Sequence, residues 1–291
     1  MQTNSHLDWL QVTFPADFDM RELSPFTGGW KAMEYGMLGY KQGYKSESGV
    51  RAYTGGNERM GVHVICGGDA LEAIRKPGVT DQELCQFTSE HHGRASRLDM
   101  TINLINSPLT VRHVVSGWKS HHLHTPARNG WEDRGVHAPG HTLYVGSETS
   151  DRRARVYDKY AETAVKDPEA FAALKDKIDS WMRFELQARN ERARGYQGAL
   201  TYNPTEDVVK QAMRDFIDWG DETYLEAVSG PDVPIPDLPR KPPVFWKWAA
   251  DQFIPAAVKY AFDNPEENVM FVLNLLFEQR RKQELGRRGS S

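Results

Sequence analysis

Three separated stretches of this chain alternate apolar and polar residues with a period of two, and each sets an arginine two positions from an acid or a tyrosine. They are SRLDMTINL at 96–104, HTLYVGSETSDRRARVYDKYAE at 141–162 and WMRFELQAR at 181–189. Successive side chains of a strand point to opposite faces, so such stretches suit a sheet with one apolar and one charged face. Arg97 and Asp99 then lie opposite Leu98 and Met100, and Arg183 and Glu185 lie opposite Met182, Phe184 and Leu186. In the middle stretch Arg153, Arg155 and Tyr157 share a face, which Lys159 continues if the strand extends that far.

The rest of the chain repeats a strand-then-helix scheme. Residues 6–14 read as a strand ended by Pro15, and 36–43, 49–53 and 60–65 as short strands between glycine turns. Residues 69–74 and 80–91 read as helices, the second opened by Thr80 with Glu83 three positions on. The scheme then recurs: a strand at 96–104, a helix at 108–118, a hairpin joining 142–146 to 153–157, a helix at 161–177 and a strand at 180–188. This predicts an α+β fold, an antiparallel sheet built from two similar strand-and-helix halves. That domain is expected over 1–203. A packing helix follows over 204–230, with its periodic core at 205–229. Prolines crowd a linker over 231–243, and a helical C-terminal module with a disordered tail is expected over 244–291.

Only two cysteines occur, Cys66 and Cys85, the opening MQTNSHLDWLQ lacks a signal-peptide layout, and no apolar run approaches the ~20 residues of a membrane helix. A reduced, cytoplasmic protein is the expectation. The net charge of -4 argues against a protein that coats nucleic acid nonspecifically, because phosphates call for a basic surface. Between positions 91 and 160, however, ten Lys and Arg face six Asp and Glu, so a polyanion site belongs in the middle of the chain.

If the three charged strands are neighbours, one face gathers Asp99, Glu185, Tyr157 and several arginines. Phosphodiester transesterification needs this set: carboxylates for a hard cation such as Mg²⁺ or Mn²⁺, arginines for the developing charge and a phenol to attack phosphorus. The bland alternative is a solvated ion-pair face with a half-buried tyrosine. Tyr144 and Tyr160 are rival nucleophiles, ranked below Tyr157, whose neighbours Arg155 and Lys159 are expected to lower its pKa. Eight of the ten histidines lie between His91 and His141. A zinc reading would draw on His121, His122 and His124; a polar loop over 120–140 is preferred, since the acids already supply ligands. Phe245, Trp246 and Trp248 read as packing residues, with base stacking as the alternative.

The run LYVGSETSDRRARVYDK resembles the signature of the Rep_trans-type replication initiators of rolling-circle plasmids, some of whose relatives are relaxases of integrative elements. Gly146, Ser147, Ser150, Arg155, Tyr157, Asp158 and Lys159 carry the match. SRLDMTINL resembles that family's Arg-x-Asp strand, WMRFELQAR its Arg-x-Glu strand and HLDWLQVTFP its opening Asp-Trp-Leu strand. The resemblance implies a fold related to the His-hydrophobic-His (HUH) endonucleases and an origin-specific nickase. It implies Tyr157 as nucleophile, Asp99 and Glu185 as ligands of Mg²⁺ or Mn²⁺, and Arg97, Ser147, Arg153, Arg155, Lys159 and Arg183 as DNA contacts. The implied partners are origin DNA as a hairpin or single strand, a helicase and a second copy of the chain. A conjugative relaxase or a non-catalytic origin-binding protein would share these features. Glu148 stands where the family favours Arg, and Asn103 where a second Asp is common.

Overall fold

The structure, a computed structural model, describes residues 1–57, 60–135 and 140–236. In chain order the elements are β1 (Gln2–Phe14), α1 (Ser24–Thr27), β2 (Trp30–Ala32), β3 (Gln42–Ser46), β4 (Arg51–Thr54), β5 (Val62–Cys66), α2 (Gly68–Arg75) and α3 (Asp81–Glu90). There follow β6 (Arg94–Ile105), α4 (Val111–Lys119), β7 (Leu123–His124), β8 (Gly130–Arg134), β9 (His141–Val145), β10 (Arg152–Asp158), α5 (Lys159–Lys166) and α6 (Pro168–Leu174). The last are β11 (Trp181–Arg189), α7 (Asn190–Tyr202), α8 (Thr205–Arg214), β12 (Asp218–Trp219) and α9 (Glu222–Val228).

Among the described residues ten strands form one sheet in the order β2-β3-β4-β5-β1-β6-β11-β10-β9-β8, and β7 and β12 pair separately. Each half follows the same path. The chain lays down a central strand (β1 or β6), jumps to the outer edge (β2 or β8) and returns strand by strand until β5 flanks β1 and β11 flanks β6. Helices come next in both: α2 and α3 after β5, α7 and α8 after β11. The two halves meet where β1 and β6 pair antiparallel, so the repeated scheme in the sequence is one of topology.

The alternation decides which face is covered. Leu7, Leu10, Leu98, Met100, Leu186 and Ala188 join one buried cluster with Ala193, Tyr196, Ala199 and Leu200 of α7 and Val208, Val209, Ala212 and Met213 of α8. Burial of each large aliphatic side chain stabilises by about 2 kcal/mol. The cap expected on the second helix is present: Thr80 accepts from the Glu83 N–H and the Glu83 carboxylate accepts from the Thr80 N–H. Cys66 and Cys85 are buried free thiols.

Several expectations need correcting. Residues 205–229 are not one helix: α8 stops at Arg214, and Phe216, Ile217 and Trp219 turn inward before Asp221 caps α9. Burial of these side chains and the β12–β7 pairing outweigh the helical periodicity. The helix expected over 161–177 is two, because Pro168 cannot continue α5 and instead opens α6 behind the Asp167 cap. The loop expected over 120–140 contains β7 and the edge strand β8. Residues 36–43 hold no strand before Gln42. Helix α7 had no counterpart in the sequence reading. Most of the linker and all of the module expected beyond it, with Phe245, Trp246 and Trp248, lie outside the described residues, as does His137. No helix among the described residues is long and apolar enough to cross a membrane.

Candidate active site

The register turns the polar face into a grid. Across β8, β9, β10, β11, β6 and β1, the successive partners on one rung are Trp131, Tyr144, Arg155, Glu185, Thr101 and His6. The rung on one side runs Tyr157, Arg183, Asn103 and Asn4; the rung on the other runs Arg153, Gln187, Asp99 and Trp9. All the charged strand residues singled out above therefore lie on one face. Tyr157 touches Glu185, its hydroxyl donating to Oε2 at 3.4 Å. Asp99 is the diagonal neighbour of Glu185 on the side away from Tyr157, two strands and two rungs from the phenol.

A third acid joins them, one that the sequence reading did not assign. The β1–β6 register slips between Leu7 and Trp9, and this bulge leaves Asp8 unpaired in the ladder, with its Oδ1 3.2 Å from Arg183 Nη1. The Leu7 backbone is held at the bulge: its N–H donates to Asp81 Oδ2 at 2.9 Å and its carbonyl accepts from Arg75 Nη1 at 3.0 Å. Arg75 also pairs with Asp81 at 2.9 Å. The only trace of Asp8 in the sequence is the Asp-Trp-Leu of the opening strand.

Each acid carries its own arginine. Arg97 Nε donates to Asp99 Oδ1 at 2.9 Å, Arg155 Nη2 to Glu185 Oε2 at 2.8 Å, and Arg183 to Asp8. Asp99 and Glu185 are only 3% and 8% exposed. Burial pushes the Asp99 carboxyl up despite Arg97. Burial does the same to Glu185; Arg155 pulls its carboxyl the other way, while the charges of Asp99 and Asp8 add to the upward push. The Tyr157 phenol is pushed up as well, first by its burial and then by the Glu185 charge, while Arg183 and Arg155 pull the other way. The lowered pKa expected from flanking cations is thus reversed, because two arginines do not offset the loss of solvent around a phenol 2% exposed.

Of the other candidate residues, Arg155 sits 4.2 Å over the Tyr157 ring, and Lys159 Nζ lies 6.0 Å from that ring while paired with Glu162 at 2.7 Å. Arg153 covers the Tyr144 ring at 4.6 Å and approaches Glu148 at 3.5 Å. Ser147 is not brought to the acids. It lies in the β9–β10 turn, beyond the end of β10 opposite Tyr157, within reach of Ser150 Oγ at 3.2 Å. Gly146 makes that turn possible: its φ is +96°, and an added Cβ would sit 3.0 Å from the Arg152 carbonyl. Tyr160 packs edge-on against Phe171 at 4.8 Å.

Asn103 is a positioning residue. Its Oδ1 accepts from Trp181 Nε1 and from Arg183 Nε, both at 2.8 Å, and its Nδ2 donates to Asn4 at 2.6 Å. Asn103→Ala strands the buried Arg183 donor and the half-buried Trp181 donor, so urea unfolding should show a loss of about 2–3 kcal/mol. A loss below about 0.5 kcal/mol would contradict that role.

The donor set suits a hard divalent cation. Among the described residues no group of three or more His, Cys, Asp or Glu side chains is arranged to hold an ion alone. Mg²⁺ and Mn²⁺ fit instead with one or two carboxylates and phosphate oxygens. Asp99 and Glu185 are such a pair, and the buried Thr101 hydroxyl, on the Glu185 rung, has no hydrogen-bond partner.

The model of the replication initiation factor family matches residues 93–223. A solved rolling circle replication initiator protein from Geobacillus stearothermophilus is similar in fold, with a TM-score of 0.60 and 22% identity over 77% of this chain and 91% of that one. No curated protein matches the sequence. The family match begins with the second half of the sheet and spans every strand that carries Asp99, Tyr157 and Glu185.

Proposed function

We propose that this protein initiates replication by nicking one DNA strand at an origin and later rejoining it, with Tyr157 as the nucleophile. Rolling-circle initiators are nicking endonucleases in general. The observation that carries the reading is the buried phenol hydrogen-bonded to Glu185, on the same face as Asp99, Arg155 and Arg183.

The phenol passes its proton to the Glu185 oxygen it already touches, and Oη forms a bond to phosphorus. The bond from phosphorus to the opposite sugar oxygen breaks, and that oxygen leaves as a hydroxyl with a proton from solvent. The phosphotyrosine link conserves the ester, so rejoining is the reverse reaction. Arg155 and Arg183 neutralise the charge that builds on the phosphoryl oxygens. Arg97, Arg153, Lys159 and, at the far turn, Ser147 hold the DNA backbone. Asp99 and Glu185 would hold Mg²⁺ or Mn²⁺, with Asp8 beside them, and the ion when bound polarises the scissile phosphate. A helicase and a second copy of the chain complete the assembly in this reading.

The test is incubation of the full chain with supercoiled plasmid carrying the cognate origin and Mn²⁺. Nicked circles and a denaturant-stable protein–DNA adduct are expected. Absence of both rejects the reading.

A further inference from the structure

The bulge that releases Asp8 from the ladder is gripped by charges that lie outside the acid cluster. Arg75, at the end of α2, and Asp81, at the start of α3, form an ion pair whose carboxylate is only 4% exposed. Between them they hold two successive peptide units of β1. Asp81 Oδ2 accepts from the Leu7 N–H, and Arg75 Nη1 donates to the Leu7 carbonyl, which belongs to the peptide that leads into Asp8. Leu7 itself is fully buried, so side chain and backbone of the residue before Asp8 are both anchored. The other end of α2 meets the same bulge. Gly67 caps that helix and Gly68 opens it; a Cβ on Gly68 would sit 3.2 Å from Asp8 Oδ1, and one on Gly67 3.3 Å from the Trp9 ring. Helix α2 is therefore fitted to β1 at both termini, with the Asp8 carboxylate between its first turn and Arg183.

Stability alone is a poor reason for this arrangement. A buried ion pair carries a desolvation cost that its attraction seldom exceeds, whereas bulges beside active sites serve to aim a side chain. After burial, the charge of Asp8 adds to the upward push on the carboxyls of both Asp99 and Glu185. The three acids thus repel one another, and a divalent cation would relieve that repulsion. We infer that Arg75 and Asp81 are positioning residues: by fixing the β1 bulge they keep Asp8 beside Asp99 and Glu185, and so raise that pair's affinity for a divalent cation. The inference rests on the reading of those acids as the metal-holding part of the nicking centre and adds to it a support drawn from outside the charged strands.

The test is calorimetric titration of Mn²⁺ into the full chain without DNA, so that no turnover enters the readout. Asp8→Asn should weaken binding about tenfold. Arg75→Met/Asp81→Ser removes both charges together, leaves neither buried alone, and should weaken binding by a similar factor. That loss should depend on Asp8: made on top of Asp8→Asn, the double change should add no more than about twofold, although it lowers the unfolding temperature alike in either background. Gly68→Ala leaves the ion pair intact, crowds the Asp8 carboxylate and should also weaken Mn²⁺ binding. Unchanged affinity in Asp8→Asn, or a loss from the double change that is the same with and without Asp8, overturns the positioning role. If the double variant does not fold, Gly68→Ala decides, and unchanged affinity there overturns the role. Wild-type chain that binds Mn²⁺ with this dependence on Asp8 yet leaves origin plasmid intact supports the positioning role while removing the nicking reading. Wild-type chain that binds no Mn²⁺ overturns the positioning role.

Discussion

Tyr157→Phe should leave the chain folded and bound to DNA, yet form no covalent adduct and nick origin plasmid at least about 10³-fold more slowly. The substitution removes one hydroxyl and its 3.4 Å hydrogen bond to Glu185, while the ring keeps its place under Arg155. Tyr144→Phe and Tyr160→Phe should retain the adduct. Tyr144 lies beneath Trp131 and Arg153, and Tyr160 packs against Phe171, so neither phenol has an acid partner like that of Tyr157. Gel electrophoresis under denaturing conditions reads all three variants. An adduct that survives Tyr157→Phe and vanishes in one of the others would reassign the nucleophile. In the proposed reaction the phenol, 2% exposed, must be uncovered before phosphorus can reach its hydroxyl.

Asp99→Asn and Glu185→Gln keep shape and remove charge, and each should slow metal-supported nicking by about 10²- to 10³-fold, the several kcal/mol that a bound cation contributes to such a transition state. The two routes to that loss differ. Asp99 does not reach the phenol, so Asp99→Asn should act by raising the Mn²⁺ concentration needed for half-maximal rate. Glu185 accepts the phenol's hydrogen bond, so saturating Mn²⁺ should restore Asp99→Asn far better than Glu185→Gln. Calorimetric titration of Mn²⁺ into the full chain checks the binding side without any turnover. Unchanged Mn²⁺ affinity and unchanged nicking in both variants would remove these acids from the reaction. Thermal unfolding without metal should shift by no more than roughly 4 °C, since each replacement amide can still accept from the arginine beside it.

How much of this could be read from residues alone follows from what period-two patterning can encode. Arg97 and Asp99, Arg183 and Glu185, and Arg153, Arg155 and Tyr157 were visible because each set sits two apart on a strand whose intervening residues are apolar, and burial of those residues fixed the face of the whole grid. Asp8 was not, because its position depends on a register slip, and the pieces that hold that slip, Arg75 and Asp81, come from elsewhere in the chain. Strand β8 escaped notice because an edge strand such as GWEDR buries only Asp133 and so shows no apolar alternation. Helix α7 opens with Asn190, Glu191, Arg192 and Arg194 and buries mostly small residues together with Tyr196, Gln197 and Leu200, a weak periodic signal. The sign of the Tyr157 shift was misjudged for a related reason: sequence displays nearby cations, whereas solvent exclusion is a property of the assembled sheet.

The mirrored path of the two sheet halves bears on how such a chain can be divided or inherited. The second out-and-back run carries the proposed nucleophile Tyr157, Asp99 and Glu185, yet its long inner strand β6 lies along β1, and Arg183 reaches across the seam for Asp8. A gene fragment encoding only that run would supply the reactive groups without the wall that aligns them. Both halves must therefore be inherited together, or meet again as separately made pieces, for the centre to exist.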